Sequence, residues 1–276
     1  VFEYYIGYQM NRFLAVYYGD NADVIGPVRS GRFVDAQLVS LYQGLLAYGD
    51  ADPQVDQVLV DVLGDRTLAF SELPCPPMCG QATHSATGVF ANSGAMTDYA
   101  VSIGVDNTTP DLRGMFFQEK RLDGNAKGES LRVVYADFSI MEWHYHPETS
   151  KYRLWEEMDT ATGLDLLPMT DRNNGRAVAF DNLIVMYAEY IEYAPSLHDI
   201  VVQNVVTAQP ALFFRDGVLT YGTWRTPDPE RPIIFETYEG DTMPLKPGQT
   251  WIVIVGLNSN TAQSAGGEWE IEFGLP

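Results

Sequence analysis

Thiols, imidazoles and cations are scarce in this 276-residue chain, which has two cysteines, four histidines and 17 Lys and Arg against 37 Asp and Glu. The formal net charge of −20 repels nucleic acid and anionic lipid. No basic run is longer than Lys120-Arg121, so direct nucleic-acid binding is excluded as the main role. No stretch reaches the ~18 uninterrupted apolar residues of a membrane-spanning helix. Gly-x-Ser-x-Gly, His-Glu-x-x-His and P-loop patterns are all missing, which removes the best-marked hydrolase, metalloprotease and nucleotide-binding chemistries. Two cysteines alone cannot close a structural zinc site, and no cofactor is expected. No signal peptide is visible. The chain opens at Val1 in mid-pattern, so any export signal or anchor is expected upstream of it.

What is present suits a globular, β-rich protein. The hydrophobic fraction of 46% supports a sizeable core, and 16 Tyr with five Trp supply half-buried aromatic contacts. Asn11 to Tyr18 reads as a strand, and helical spacing of Phe33, Val34, Leu38, Leu41 and Tyr42 predicts a helix over 31–42. Between them, Val24-Ile25-Gly26-Pro27-Val28-Arg29-Ser30-Gly31-Arg32 reads as a strand-to-helix turn with Ser30 as N-cap. Leu45-Leu46-Ala47-Tyr48 is a short strand. Asp52-Pro53 starts a second helix, Thr67 to Phe70 is a third strand, and Ser93 caps a helix through Ile103. The segment 123–129 is Gly- and charge-rich and reads as a linker. Beyond it the period becomes two. Glu142-Trp143-His144-Tyr145-His146 is expected to pair with Lys151-Tyr152-Arg153-Leu154-Trp155 across Pro147 to Ser150, and further strands follow to Val255. The expected fold is therefore mixed α+β: a small N-terminal α/β domain, 1–128, and a mostly antiparallel β-rich domain, 129–276.

Arg29, Ser30 and Arg32 form the leading candidate site. Unpaired helix N–H groups, the helix dipole and two guanidinium forks suit a carboxylate or phosphate. The plainer alternative pairs Arg32 with Asp35 and ties Arg29 to nearby backbone. His144 and His146 alternate on one strand face and, with Glu142, could ligate a metal; as the outer face of a hairpin whose Trp143 and Tyr145 point inward they would simply meet solvent, and no metal site is expected. Glu156, Glu157, Asp159, Asp165, Glu189, Glu192, Glu236 and Glu239 carry no signal as pairs in so acidic a chain. Trp224 and Trp251, near turns, are either stacking platforms or core anchors, and burial is the reading adopted.

The stretch Ile25 to Arg32, preceded by Arg12-Phe13-Leu14-Ala15-Val16, resembles the signature of the YerB-like bacterial lipoproteins. Tyr152-Arg153, Asp159-Thr160-Ala161-Thr162-Gly163, Asn182-Leu183-Ile184-Val185, Phe214-Arg215-Asp216-Gly217, Gly222-Thr223-Trp224 and Leu245 to Trp251 extend the resemblance from about Asn11 to Leu257. The chain departs from the family at Asp50-Ala51 and at Thr83-His84-Ser85. The resemblance implies two domains outside the cytoplasm, usually on an N-terminal lipid anchor, and no known reaction. In such a setting Cys75 and Cys79, in a proline-rich loop, are expected to form a disulfide; a redox pair is the alternative. The expected role is an envelope binding or scaffold protein whose partner is an anionic cell-wall polymer or another envelope protein. The alternative is a cell-wall glycan or peptide hydrolase with acids and His84 in an interdomain cleft.

Overall fold

The computed structural model describes residues 1–73, 75–80 and 88–276; Thr83, His84 and Ser85 lie outside the described residues. Two sheets and a helical layer share the chain. The larger sheet runs in the order Ile234–Thr237, Val218–Thr226, Val205–Arg215, Asn182–Ala194, Thr250–Gly256, β1 (Phe2–Gly7), β2 (Met10–Leu14). The smaller runs Gly163–Pro168, Lys151–Thr160, Ser139–His146, Ser130–Ala136, Glu268–Glu272, Asn260–Gln263. The two pack face to face. Leu131, Val133, Met141, Trp143 and Leu154, alternate residues of their strands, meet Leu183, Val185, Phe214, Trp251 and Val253 from the larger sheet.

The central strands of the larger sheet are apolar on both faces because both are covered. Ile184, Met186, Ile252 and Ile254 point away from the sandwich, toward α1 (Phe33–Tyr42), which buries Val34, Leu38 and Leu41 against them together with Phe2 and Tyr4. On its far side α1 packs Ala36 and Val39 against the unit formed by β3 (Leu46–Tyr48), α2 (Pro53–Leu63) and β4 (Thr67–Ala69), a parallel β-α-β crossover. A last cluster joins β5 (Met78–Gly80), β6 (Val89–Ala91) and α3 (Ser93–Ser102).

Several expectations need correction. The first strand ends at Leu14, opposite Phe2, and does not run to Tyr18; residues 15–32 form a long irregular link rather than a tight turn. That strand does not join β3 and β4. It pairs with β1, and β1 lies parallel to Thr250–Gly256, so the first 14 residues belong to the larger sheet. The N-cap of α1 is Arg32, not Ser30: the chain is still extended at Arg32, whose N–H donates to Asp35 Oδ2 at 2.7 Å. Asn92 caps α3 in place of Ser93, its side chain accepting from the Ala95 N–H at 2.8 Å. The segment 123–129 is bound to the sheet. Asn125 N–H donates to the Leu219 carbonyl at 2.7 Å and Gly128 N–H to the Gly217 carbonyl at 3.0 Å. The larger sheet is also mixed, with parallel pairs on both sides of Thr250–Gly256.

A fully buried carboxylate sits inside the sandwich. Glu3 accepts from Trp251 Nε1 and Asn11 Nδ2, each at 2.7 Å, yet burial raises its pKa from 4.5 to about 7. An acid whose folded pKa is raised contributes stability that is complete below its unfolded pKa and lost as pH rises through the folded one. Between pH 4.5 and 7 the urea stability of the Glu3→Gln protein is therefore expected to fall less steeply than that of the parent. The difference approaches about 3 kcal/mol at ~1.4 kcal/mol per pH unit. Cys75 and Cys79 are joined by a disulfide in the structure. In the purified protein, thiol alkylation is expected to add mass only after reduction.

Candidate functional site

A cavity of about 950 Å³ opens at the free edge of the larger sheet. Residues 11–21 form one wall and residues 25–31 a second; the end of α1 with residues 42–48 forms a third. Residues of α3 face them, and Glu156 and Met169 approach from the smaller sheet. The second wall is held rigidly. Ile25 and Ala91 exchange backbone hydrogen bonds at 2.8 and 2.9 Å, and Val28 N–H donates to the Val89 carbonyl at 2.8 Å. On the other side Gly31 N–H reaches the Asp50 carbonyl and Gly49 N–H the Arg29 carbonyl, both at 2.8 Å. A Cβ on Gly31 would lie 2.7 Å from the end of the Leu59 side chain, which would have to shift to admit it.

Of the three predicted residues, Arg29 and Ser30 line the cavity. Arg32 is half-buried and is not part of the wall, though its charge reaches Arg12 and Asp35. The residue that sequence reasoning missed is Arg12. It stands on β2 opposite Tyr4, on the face that also carries Leu14 and meets α1. An arginine between residues of an apolar strand face, two positions from Leu14, was the available signal.

The electrostatics are unusual for so acidic a chain. Burial lowers the Arg12 pKa to about 10, and the neighbouring Arg32 charge adds to that; burial lowers Arg32 as well. Asp35 is the carboxylate between them. Burial raises it to about 6, against the hydrogen bonds from the Tyr4 hydroxyl and the Arg32 N–H and against the Arg12 and Arg32 charges. Its oxygens are therefore already engaged. Among the described residues no carboxylate comes within ion-pairing distance of Arg12 or Arg32, and Nε of each is buried without a hydrogen-bond partner. A buried donor left unpaired costs about 1–3 kcal/mol, more on a charged group.

The other candidates are accounted for elsewhere. His144 Nε2 lies 2.9 Å from Glu142 Oε2, and His146 stacks on Trp155 and approaches Glu148 Oε1 at 3.0 Å. Among the described residues no group of three or more His, Cys, Asp or Glu side chains is placed to hold a metal ion. Trp224 and Trp251 are core residues whose indole N–H groups bond the Tyr187 carbonyl and Glu3. Glu236 forms a two-point pair with Arg225 at 2.8 and 2.7 Å. Cys75 and Cys79 are not among the residues that line the cavity.

Two family models decide the relationship. Residues 1–72 match the N-terminal domain, and residues 131–252 the C-terminal domain, of a protein family of unknown function, DUF3048. The chain belongs to this YerB-like family. Its fold is similar to the crystal structure of YerB protein from Bacillus subtilis, with a TM-score of 0.72 and 19% identity over 92% of this chain and 82% of that one. No curated protein matches the chain. Two YerB-like signatures acquire a structural meaning. Arg215, 3% exposed, donates to the carbonyls of Gln118, Glu119, Lys120 and Pro244 and to Asp216. Lys246 reaches Asp216 at 3.3 Å and the Ser150 carbonyl at 2.8 Å. Gly248 leaves room for the Asp181 carboxylate, which accepts from the Gln249 N–H at 3.0 Å.

Asp35→Ala is expected to cost about 3 kcal/mol or more in urea unfolding, because it leaves the Tyr4 hydroxyl and the Arg32 N–H without an acceptor and removes the negative charge beside two half-buried cations. A loss under about 1 kcal/mol would show that the carboxylate is not the linchpin of this region.

Proposed function

We propose that this YerB-like chain is a non-catalytic binding protein of the bacterial envelope that seats a carboxylate or phosphate of its ligand against Arg12 and Arg29. The observation that carries the reading is the pair of half-buried arginines, Arg12 and Arg32, which form no ion pair among the described residues, beside a large cavity in a chain of net charge −20. An anion entering there meets permanent positive charge in a partly desolvated setting, where charge-assisted hydrogen bonds are strongest. Elsewhere the acidic surface repels it. A location outside the cytoplasm, with a lipid anchor upstream, rests on the family resemblance and on the Cys75–Cys79 disulfide, a bond rare in reducing compartments. An anionic cell-wall polymer or another envelope protein would present the anion.

A second reading, hydrolysis, is favoured by the presence of Asp35 and Glu156 in the same cavity, both with pKa values raised by burial. Binding is preferred because the oxygens of Asp35 are already committed to Tyr4 and Arg32.

Titration with inorganic phosphate or acetate, followed by NMR of the arginine Nε–H groups, tests the site. Arg12→Ala is expected to weaken anion binding by 10-fold or more, the equivalent of losing about 1.5–3 kcal/mol of charged hydrogen bonding. The melting temperature should hold or rise, because a half-buried cation with no ion pair among the described residues has been removed. Unchanged affinity in Arg12→Ala, or no response to either anion, would sink the proposal.

A further inference from the structure

Among the described residues, no strand pairs with the edge of the larger sheet that borders the cavity. We propose, resting on the anion-binding reading above, that the ligand is an extended polypeptide segment that adds to β2 as a further strand and offers an acidic side chain to Arg12. β2 pairs only with β1 among the described residues, and its other edge is the end of the sheet. Every residue from 11 to 21 lines the cavity. Within β2, Asn11 to Leu14 all line the cavity although alternate side chains of a strand point to opposite faces, so the backbone edge of β2 is turned toward the cavity. Residues 15–21 make no backbone–backbone hydrogen bonds among the described residues.

The other end of the same sheet shows how an edge is normally protected. Strand Ile234–Thr237 carries Glu236 in its pair with Arg225. The chain then folds back over it, with Thr237 N–H bonded to the Asp241 carbonyl at 2.7 Å and Met243 N–H to the Phe235 carbonyl at 2.8 Å. Charged side chains, proline and covering loops are the usual means of keeping foreign strands off. From Phe13 to Gly19 there is no charge and no proline. Val16, Tyr17 and Tyr18 are 50%, 49% and 69% exposed. An apolar, unpaired edge beside a large cavity has the form of a strand-addition site.

The register of β2 dictates what an added strand must carry. Arg12 and Leu14 project on the face of α1, and Phe13 projects on the sandwich face, where its ring meets Trp251. The added strand therefore needs an acidic residue opposite Arg12 and an apolar residue two positions away, opposite Leu14. Its backbone supplies affinity, and this one charged pair supplies specificity.

The probe is the peptide Thr-Val-Thr-Asp-Thr-Val-Thr, acetylated and amidated so that the Asp side chain is its only charge. It reads the same from either end and so fits both strand directions. Binding to the full chain is followed by calorimetry and by backbone hydrogen exchange. The peptide is expected to bind and to slow exchange at residues 10–18. Replacing its Asp by Asn, or the protein's Arg12 by Ala, is expected to weaken binding 10-fold or more, and N-methylation of alternate peptide amides to abolish it. Inorganic phosphate serves as the parallel probe. If phosphate binds in an Arg12-dependent way but the peptide does not, or the N-methylated peptide binds equally well, strand addition is overturned while the anion site stands. If neither phosphate nor peptide binds, both readings fall together.

Discussion

A buried carboxylate holds the helical layer to the sheet. Asp35 accepts the Tyr4 hydroxyl from β1 and the Arg32 N–H from the start of α1, so one side chain fixes both the entry of the helix and its seat. The same engagement leaves Arg12 and Arg32 without an ion-pair partner among the described residues. Had Asp35 been free to swing toward Arg12, the two charges would have cancelled in a local ion pair and the cavity would be electrostatically quiet. Pinned as it is, it softens the repulsion between Arg12 and Arg32 without forming an ion pair with either. Packing and binding potential therefore share an origin.

The family signatures divide along the same line. Those in the second half, around Arg215-Asp216 and Lys246 to Gly248, are internal fastenings that tie irregular segments to strand ends through buried charge. They explain how long loops are held over a sandwich without a helix beneath them. The signature in the first half builds a wall, its backbone bonded on both sides and Arg29 and Ser30 presented to the cavity. A shared sequence pattern thus marks internal fastening in one place and the wall of a cavity in another, and only the neighbours of each side chain distinguish them.

Local features were legible in the sequence. Asp52-Pro53 starts α2 as the N-cap and first-turn preferences demand, and the hairpin joins Glu142 to Trp155 and His146 to Lys151, as the alternation requires. What escaped was long-range. Nothing near β1 reveals that its parallel partner is Thr250–Gly256, because the period of a strand specifies a face and not a neighbour. Arg12 was obscured for a related reason: its importance comes from Tyr4, Asp35 and Arg32, brought beside it by pairing and helix packing. Ser30 was misjudged as a cap because hydroxyl preference is only statistical, and here the backbone stays extended through Arg32.

The placement of β1 has a consequence for how the protein is made. Phe2 to Tyr4 lie beside Ile252 to Ile254, so β1 waits for a partner far later in the chain. Until that late strand arrives, the early strands and the middle of the chain have no common partner to join them. The larger sheet cannot close before Thr250–Gly256 has been made, and its assembly is an event of high contact order, slow by the general relation between topology and folding rate. A chain cut before Thr250 would leave β1 without its parallel neighbour.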